Sequence, residues 1–101
     1  MIVISGFDDL LKKYKDLPNV GWLYVESSFD LESKDDIKSG TYYLAENEDE
    51  EMDFEENYGT FLEAPIFTAI IENKFEHDPN AKNDDLFDAV LFYINNDDFL
   101  D

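Results

Sequence analysis

Between Glu46 and Glu56, eight of eleven residues are carboxylates and none is basic. A run of that density repels itself and cannot enter a core, so it predicts an exposed loop or a solvated helix face. Its only large apolar residues are Met52 and Phe54, the two places where the run can be pinned to the rest of the chain. The segments on either side must therefore supply the core.

They have the material to do so. The net charge is −19, but 44% of the 101 residues are hydrophobic and 16% aromatic, whereas disordered acidic chains are poor in aromatic and β-branched residues. The length fits a single domain spanning 1–101. Phe7, Leu10, Leu11, Tyr14 and Leu17 recur at helical spacing, which predicts a helix over Ser5–Leu17 with Ser5 and Asp8 as a capping box and Pro18 as its stop. Met1–Ile4 is apolar and β-branched and reads as a short strand or a lead-in packed on the core. Gly21–Ser27 and Thr41–Ala45 carry the β-formers Trp22, Leu23, Tyr24, Val25, Tyr42 and Tyr43. They are expected to pair antiparallel across a polar 28–40 connection.

Beyond the acidic run the chain reads as helical. Pro65 suits a first helical position, followed by a stripe of Ile66, Phe67, Ile70, Ile71 and Phe75 that ends in the region 77–80. A last helix is expected to start with Asn83 or Asp84 as its cap. It runs through Leu86, Phe87, Val90, Leu91 and Ile94 until Asn95-Asn96 breaks it, with Phe99 and Leu100 folding back as an anchor. The fold class is α+β: a small antiparallel sheet packed against about three helices.

The search for chemistry is brief. His77 is the sole histidine and cysteine is absent, which rules out a zinc site of several His or Cys ligands and any thiol chemistry. Glycines at 6, 21, 40 and 59 write neither a P-loop nor a dinucleotide fingerprint. Asp78-Pro79-Asn80 opens like a calcium loop, but Lys82, Asn83 and Ala89 stand where a ligand, the turn glycine and the bidentate glutamate are required. Close pairs of carboxylates are expected by chance among 26 acids and carry no specificity. No enzyme, catalytic residue, cofactor or metal is expected.

Seven lysines and no arginine stand against those 26 acids, so neither nucleic acid nor an anionic membrane is an expected partner. No signal peptide and no apolar run of spanning length is visible, and the chain reads as cytoplasmic. The acidic surface is either a solvated face or a recognition surface for a basic protein. Carboxylates interleaved with aromatics favour recognition, and the candidate partner-binding residues are Glu46, Glu48, Asp49, Glu50, Glu51, Asp53, Glu55, Glu56 and Tyr58.

Three segments also carry a likeness. They are the early helix with the strand Gly21-Trp22-Leu23-Tyr24-Val25, the acidic run ahead of Tyr58-Gly59-Thr60-Phe61-Leu62, and the ending Ala89-Val90-Leu91-Phe92-Tyr93-Ile94-Asn95-Asn96-Asp97-Asp98-Phe99. In these the chain resembles small acidic immunity proteins of bacterial polymorphic toxin systems, including those of contact-dependent growth inhibition. The resemblance implies a protein, monomeric or in a 1:1 complex, that binds and neutralises one cognate toxin, often a nuclease with a basic substrate cleft. The alternative is a DNA mimic that binds a host or phage DNA-binding protein.

Overall fold

The computed structural model describes residues 1–98. The elements follow in the order β1 (Ile2–Ser5), α1 (Phe7–Lys12), β2 (Trp22–Val25), α2 (Lys34–Ser39), β3 (Thr41–Leu44), α3 (Glu48–Asn57), β4 (Gly59–Glu63), α4 (Ala64–His77) and α5 (Asn83–Asn96). The four strands form one antiparallel sheet in the order β1-β3-β2-β4. The fold is therefore α+β, and the expected antiparallel pairing of β2 with β3 is present, with Tyr24 opposite Tyr43.

Side chains alternate across a strand, and the alternation here sorts the sheet into two unlike faces. Ile4, Leu23, Val25, Tyr42, Leu44 and Phe61 enter the main core together with Phe7, Leu10, Leu11, Ile37, Phe67, Ile70, Ile71 and Val90. α1, α2, α4 and α5 supply those helical residues. Edge-to-face contacts of Phe7 with Phe67 and Phe87, and of Tyr42 with Phe61, run through this layer. Tyr24 and Tyr43 point the other way, and there the ring of Phe54 from α3 lies 5.0 and 6.1 Å from theirs. The acidic helix thus lies on the face of the sheet opposite the main core.

Several sequence expectations need correction. The early helix is shorter than Ser5–Leu17: α1 ends at Lys12, and Tyr14–Asp16 is a separate 3-10 turn after Lys13 leaves helical geometry. Ser5 closes β1, and Gly6, at φ +88°, takes the N-cap position with no side-chain cap. The 28–40 connection contains α2, capped by Ser33, whose hydroxyl accepts the Asp36 N–H at 3.2 Å. The region after the acidic run is not all helical, because Gly59–Glu63 is the edge strand β4. The last helix begins one or two residues earlier than a cap at Asn83 or Asp84 would place it. Lys82 is its N-cap, and the Lys82 N–H donates to the Asp85 carboxylate at 3.0 Å. The anchor expected at Phe99 and Leu100 lies outside the described residues.

Candidate functional site

The run 46–56 resolves into a helix of ten residues for local reasons. Asn47 is the N-cap, its side-chain oxygen accepting the Glu50 N–H at 2.9 Å, and Glu48, Asp49, Glu50 and Glu51 occupy the first turn, where the helix dipole favours negative charge. Burial of Phe54, 3% exposed, then fastens the helix to the sheet. Met52, the other apolar residue of the run, is 62% exposed and pins nothing. It lies on the outer ridge between Glu48 and Glu56, at i,i+4 spacing from each.

The nine candidate residues divide by environment. Glu46 and Glu50 are both engaged by the Met1 ammonium, and Glu50 also accepts the Glu46 N–H. That ammonium, aided by the Glu46 N–H, holds the Glu50 carboxyl below the usual carboxylate range. Asp53 accepts from the Asn57 side chain at 2.8 Å. The carboxylates of Glu48, Asp49, Glu51, Glu55 and Glu56 have neither hydrogen-bond nor ion-pair partners among the described residues. Tyr58 is half-buried. Its ring packs on Phe54 at 4.8 Å and on Tyr43 at 5.1 Å, so it supports the helix from below.

Two features escaped the sequence reading. Tyr24, beneath α3, is 1% exposed, and its hydroxyl has no hydrogen-bond partner. Burial, with the charges of Glu55 and Glu51 nearby, raises that hydroxyl above the ordinary tyrosine range. Beside it, a cleft of about 240 Å³ opens between β2 and the first turn of α3, with Trp22 and Val20 on one side and Glu46, Glu48 and Glu51 on the other. The exposure of Trp22 and Val20, 39% and 78%, could not be inferred from residue type, since both side chains are large and apolar.

His77, the sole histidine, is an exposed residue at the end of α4, with Nδ1 2.9 Å from the Asn73 carbonyl. No group of three or more His, Cys, Asp or Glu side chains among the described residues is arranged to hold a metal ion. No helix among them is long and apolar enough to cross a membrane.

The fold and the site define a small α+β domain that carries an acidic helix on one face of its sheet, backed by an aromatic cluster. The chain matches the family model described as a domain of unknown function, DUF7716, over residues 4–101, and it belongs to that family. No curated protein and no solved structure matches it.

Proposed function

We propose that this domain is a cytoplasmic immunity protein that binds a basic protein toxin, a nuclease being the best fit, through the acidic face of α3 and neutralises it. The observation that carries the reading is the set of carboxylates in the second half of α3. Acids in the first turn assist the helix, but Asp53, Glu55 and Glu56 fall near its C-terminal end, where the dipole is unfavourable, and no basic residue offsets them. Asp49–Asp53 and Glu51–Glu55 are moreover like-charged i,i+4 pairs. Apart from the hydrogen bond that Asp53 accepts from Asn57, folding gains nothing from this arrangement, whereas a surface that steers a basic partner does. Met52 in the middle of the exposed ridge adds an apolar contact of the kind that holds a complex once steering has brought it together.

A nuclease fits because its cleft is built to attract phosphate, and a dense carboxylate face meets the same field. A DNA mimic is the weaker reading. A ten-residue helix extends only about 15 Å, a short track beside the continuous phosphate rows of a duplex.

The test is co-purification with the product of the adjacent upstream gene, followed by growth on expression of that product with and without this protein. Capture and rescue support the reading. Absence of capture, together with normal growth when the neighbouring product is expressed alone, overturns it.

A further inference from the structure

We infer that the free edge of β1 is a docking edge for an extended segment of a basic protein partner, which joins the sheet there as a fifth strand. The inference rests on the proposed recognition role and takes the sign of the partner's charge from it. β1 stands at one end of the sheet and pairs only with β3. Just past their register, the Gly6 N–H donates to the Gly40 carbonyl at 2.8 Å. Such bonds fall on alternate residues of an antiparallel pair, so Ile2 and Ile4 also bond β3, while Val3 and Ser5 turn their N–H and C=O groups to the free edge. The Ser5 N–H is taken by the Asp9 carboxylate. No other hydrogen bond among the described residues reaches the N–H or C=O of Val3.

The side chains mark the same edge. Sheet edges are ordinarily blunted by a charge, a proline or a bulge. β4, at the other end of the sheet, carries Glu63 and a shift of register against β2. β1 reads Ile-Val-Ile-Ser and has none of these, and Met1, Ile2 and Val3 are 53%, 44% and 47% exposed in succession. Along the core side of β1 lies a groove of about 240 Å³, lined by Ile2, Ile4, Leu17 and Leu44 with Lys13 and Asp16. Val3 is on the opposite side, level with Tyr43 and so on the side of α3. An added strand therefore directs alternate side chains to the apolar groove and the intervening ones towards the acidic helix. The pattern that fits is apolar and basic residues in alternation.

Charge selects the occupant. Around β1, the carboxylates of Asp9, Asp16, Glu46 and Glu50 outnumber Lys13 and the Met1 ammonium. The contacts of Met1 with Glu46 and Glu50 join the start of β1 to the opening of α3, so the edge and the acidic helix form one continuous surface. A basic partner can cover both. A second copy would instead bring another net charge of −19, and two strands of four residues meeting edge to edge bury far less than the about 1,200 Å² of a stable interface.

The probe is acetyl-Val-Lys-Val-Lys-Val-amide, titrated into the full chain. A peptide of the same composition in the order Val-Val-Val-Lys-Lys controls for charge alone. Amide exchange at Val3 is the direct readout: it is fast in the free protein and should slow saturably, by about tenfold or more, with the alternating peptide. The control peptide should bind about fivefold or more weakly. Val3→Pro removes the outward N–H without touching the ladder to β3, and Val3→Lys keeps the backbone but guards the edge with charge. Both should weaken the alternating peptide by about fivefold or more, and Asp35→Asn on α2 should leave its binding unchanged. Val3 is half-exposed, so Val3→Lys should keep its melting temperature, which separates lost binding from lost folding. No slowing at Val3, or equal binding of the two peptides, overturns the docking edge. So does a dimer in sedimentation that dissociates in Val3→Lys, since the occupant is then a second copy. If a captured basic partner binds wild type and Val3→Lys alike, the edge fails and the acidic-surface reading stands. If the alternating peptide slows Val3 exchange while no neighbouring gene product is captured, the edge stands and that reading fails.

Discussion

Gly40 has no room for a side chain. A Cβ there would lie 2.4 Å from the Asp36 carbonyl oxygen and 2.6 Å from the ring of Phe29, although its φ of −69° suits any residue. Its N–H closes α2 on Asp36 at 2.7 Å, and its carbonyl accepts the Gly6 N–H at 2.8 Å, so the backbone cannot retreat. Gly40→Ala is expected to destabilise the fold by about 1–3 kcal/mol, the range for overpacking a tight site, read as a lower urea midpoint with the slope unchanged. Tyr24→Phe should act in the opposite direction, by up to about 1 kcal/mol, because a buried hydroxyl without a partner opposes folding. Burial also raises Tyr42, whose hydroxyl donates to the Ile37 carbonyl at 2.6 Å. Tyr24 and Tyr42 thus both hold their protons more tightly when folded. Their contribution is fully present below the ordinary tyrosine pKa and is lost as pH rises above it, where the unfolded chain ionises first. Tyrosinate absorbance should therefore rise in two stages, with Tyr24 and Tyr42 ionising only as the protein unfolds. A single early stage that includes every tyrosine would contradict the assignment. Sequence showed that strands 22–25 and 41–44 were aromatic. It did not show that Tyr42 faces the main core while Tyr43 meets α3, because residue type alone does not tell the two sides of a strand apart.

Among the elements, α3 joins charge to structure most directly. It rests on one deeply buried side chain, so Phe54→Ala is expected to cost about 3 kcal/mol, at the low end for a buried aromatic. Amide exchange over 48–57 should quicken before that of β2 and β3. Uniform loss of protection would show that the helix and sheet unfold as one unit. Replacing Glu55 and Glu56 with glutamine relieves the C-terminal end of the helix and should stabilise it by about 0.3–1 kcal/mol at low salt, with the gain shrinking as salt is added. The same change should weaken recognition if the acids are there for a partner. The run was legible as an exposed block pinned at Met52 or Phe54, but not as held by Phe54 alone, nor as a helix rather than a loop. A single buried contact sets no period, and the cap at Asn47 is seen only in the structure. α2 was missed for the same reason, since Ile37 is its one buried residue. In β4 only Phe61 is buried, too little to set an alternation against the helical pattern that follows Pro65.

Over the whole molecule, the acid excess is poorly neutralised: the ion pairs among the described residues are Met1 with Glu46 and Glu50, and Lys13 with Asp9. Self-repulsion at a net charge of −19 should make stability rise with added sodium chloride, as screening shortens to about 8 Å at physiological ionic strength. The α+β class and the β2–β3 pairing followed from local pattern. The strand order did not, because β1 meets β3, and β2 meets β4, across long stretches of chain, and no local signal encodes that choice. The cleft at Trp22 was invisible for a related reason: it forms between β2 and α3, segments more than twenty residues apart. The same placement isolates the acidic helix opposite the main core, leaving its outer face free for a partner. The most direct measurement is the association rate of the basic partner by stopped flow, from low to high salt, for wild type and for a variant with charge reversed across Glu48–Glu51. The account predicts a rate that falls steeply with salt and is about tenfold or more slower in the variant at low salt. A rate indifferent both to salt and to that reversal would contradict it.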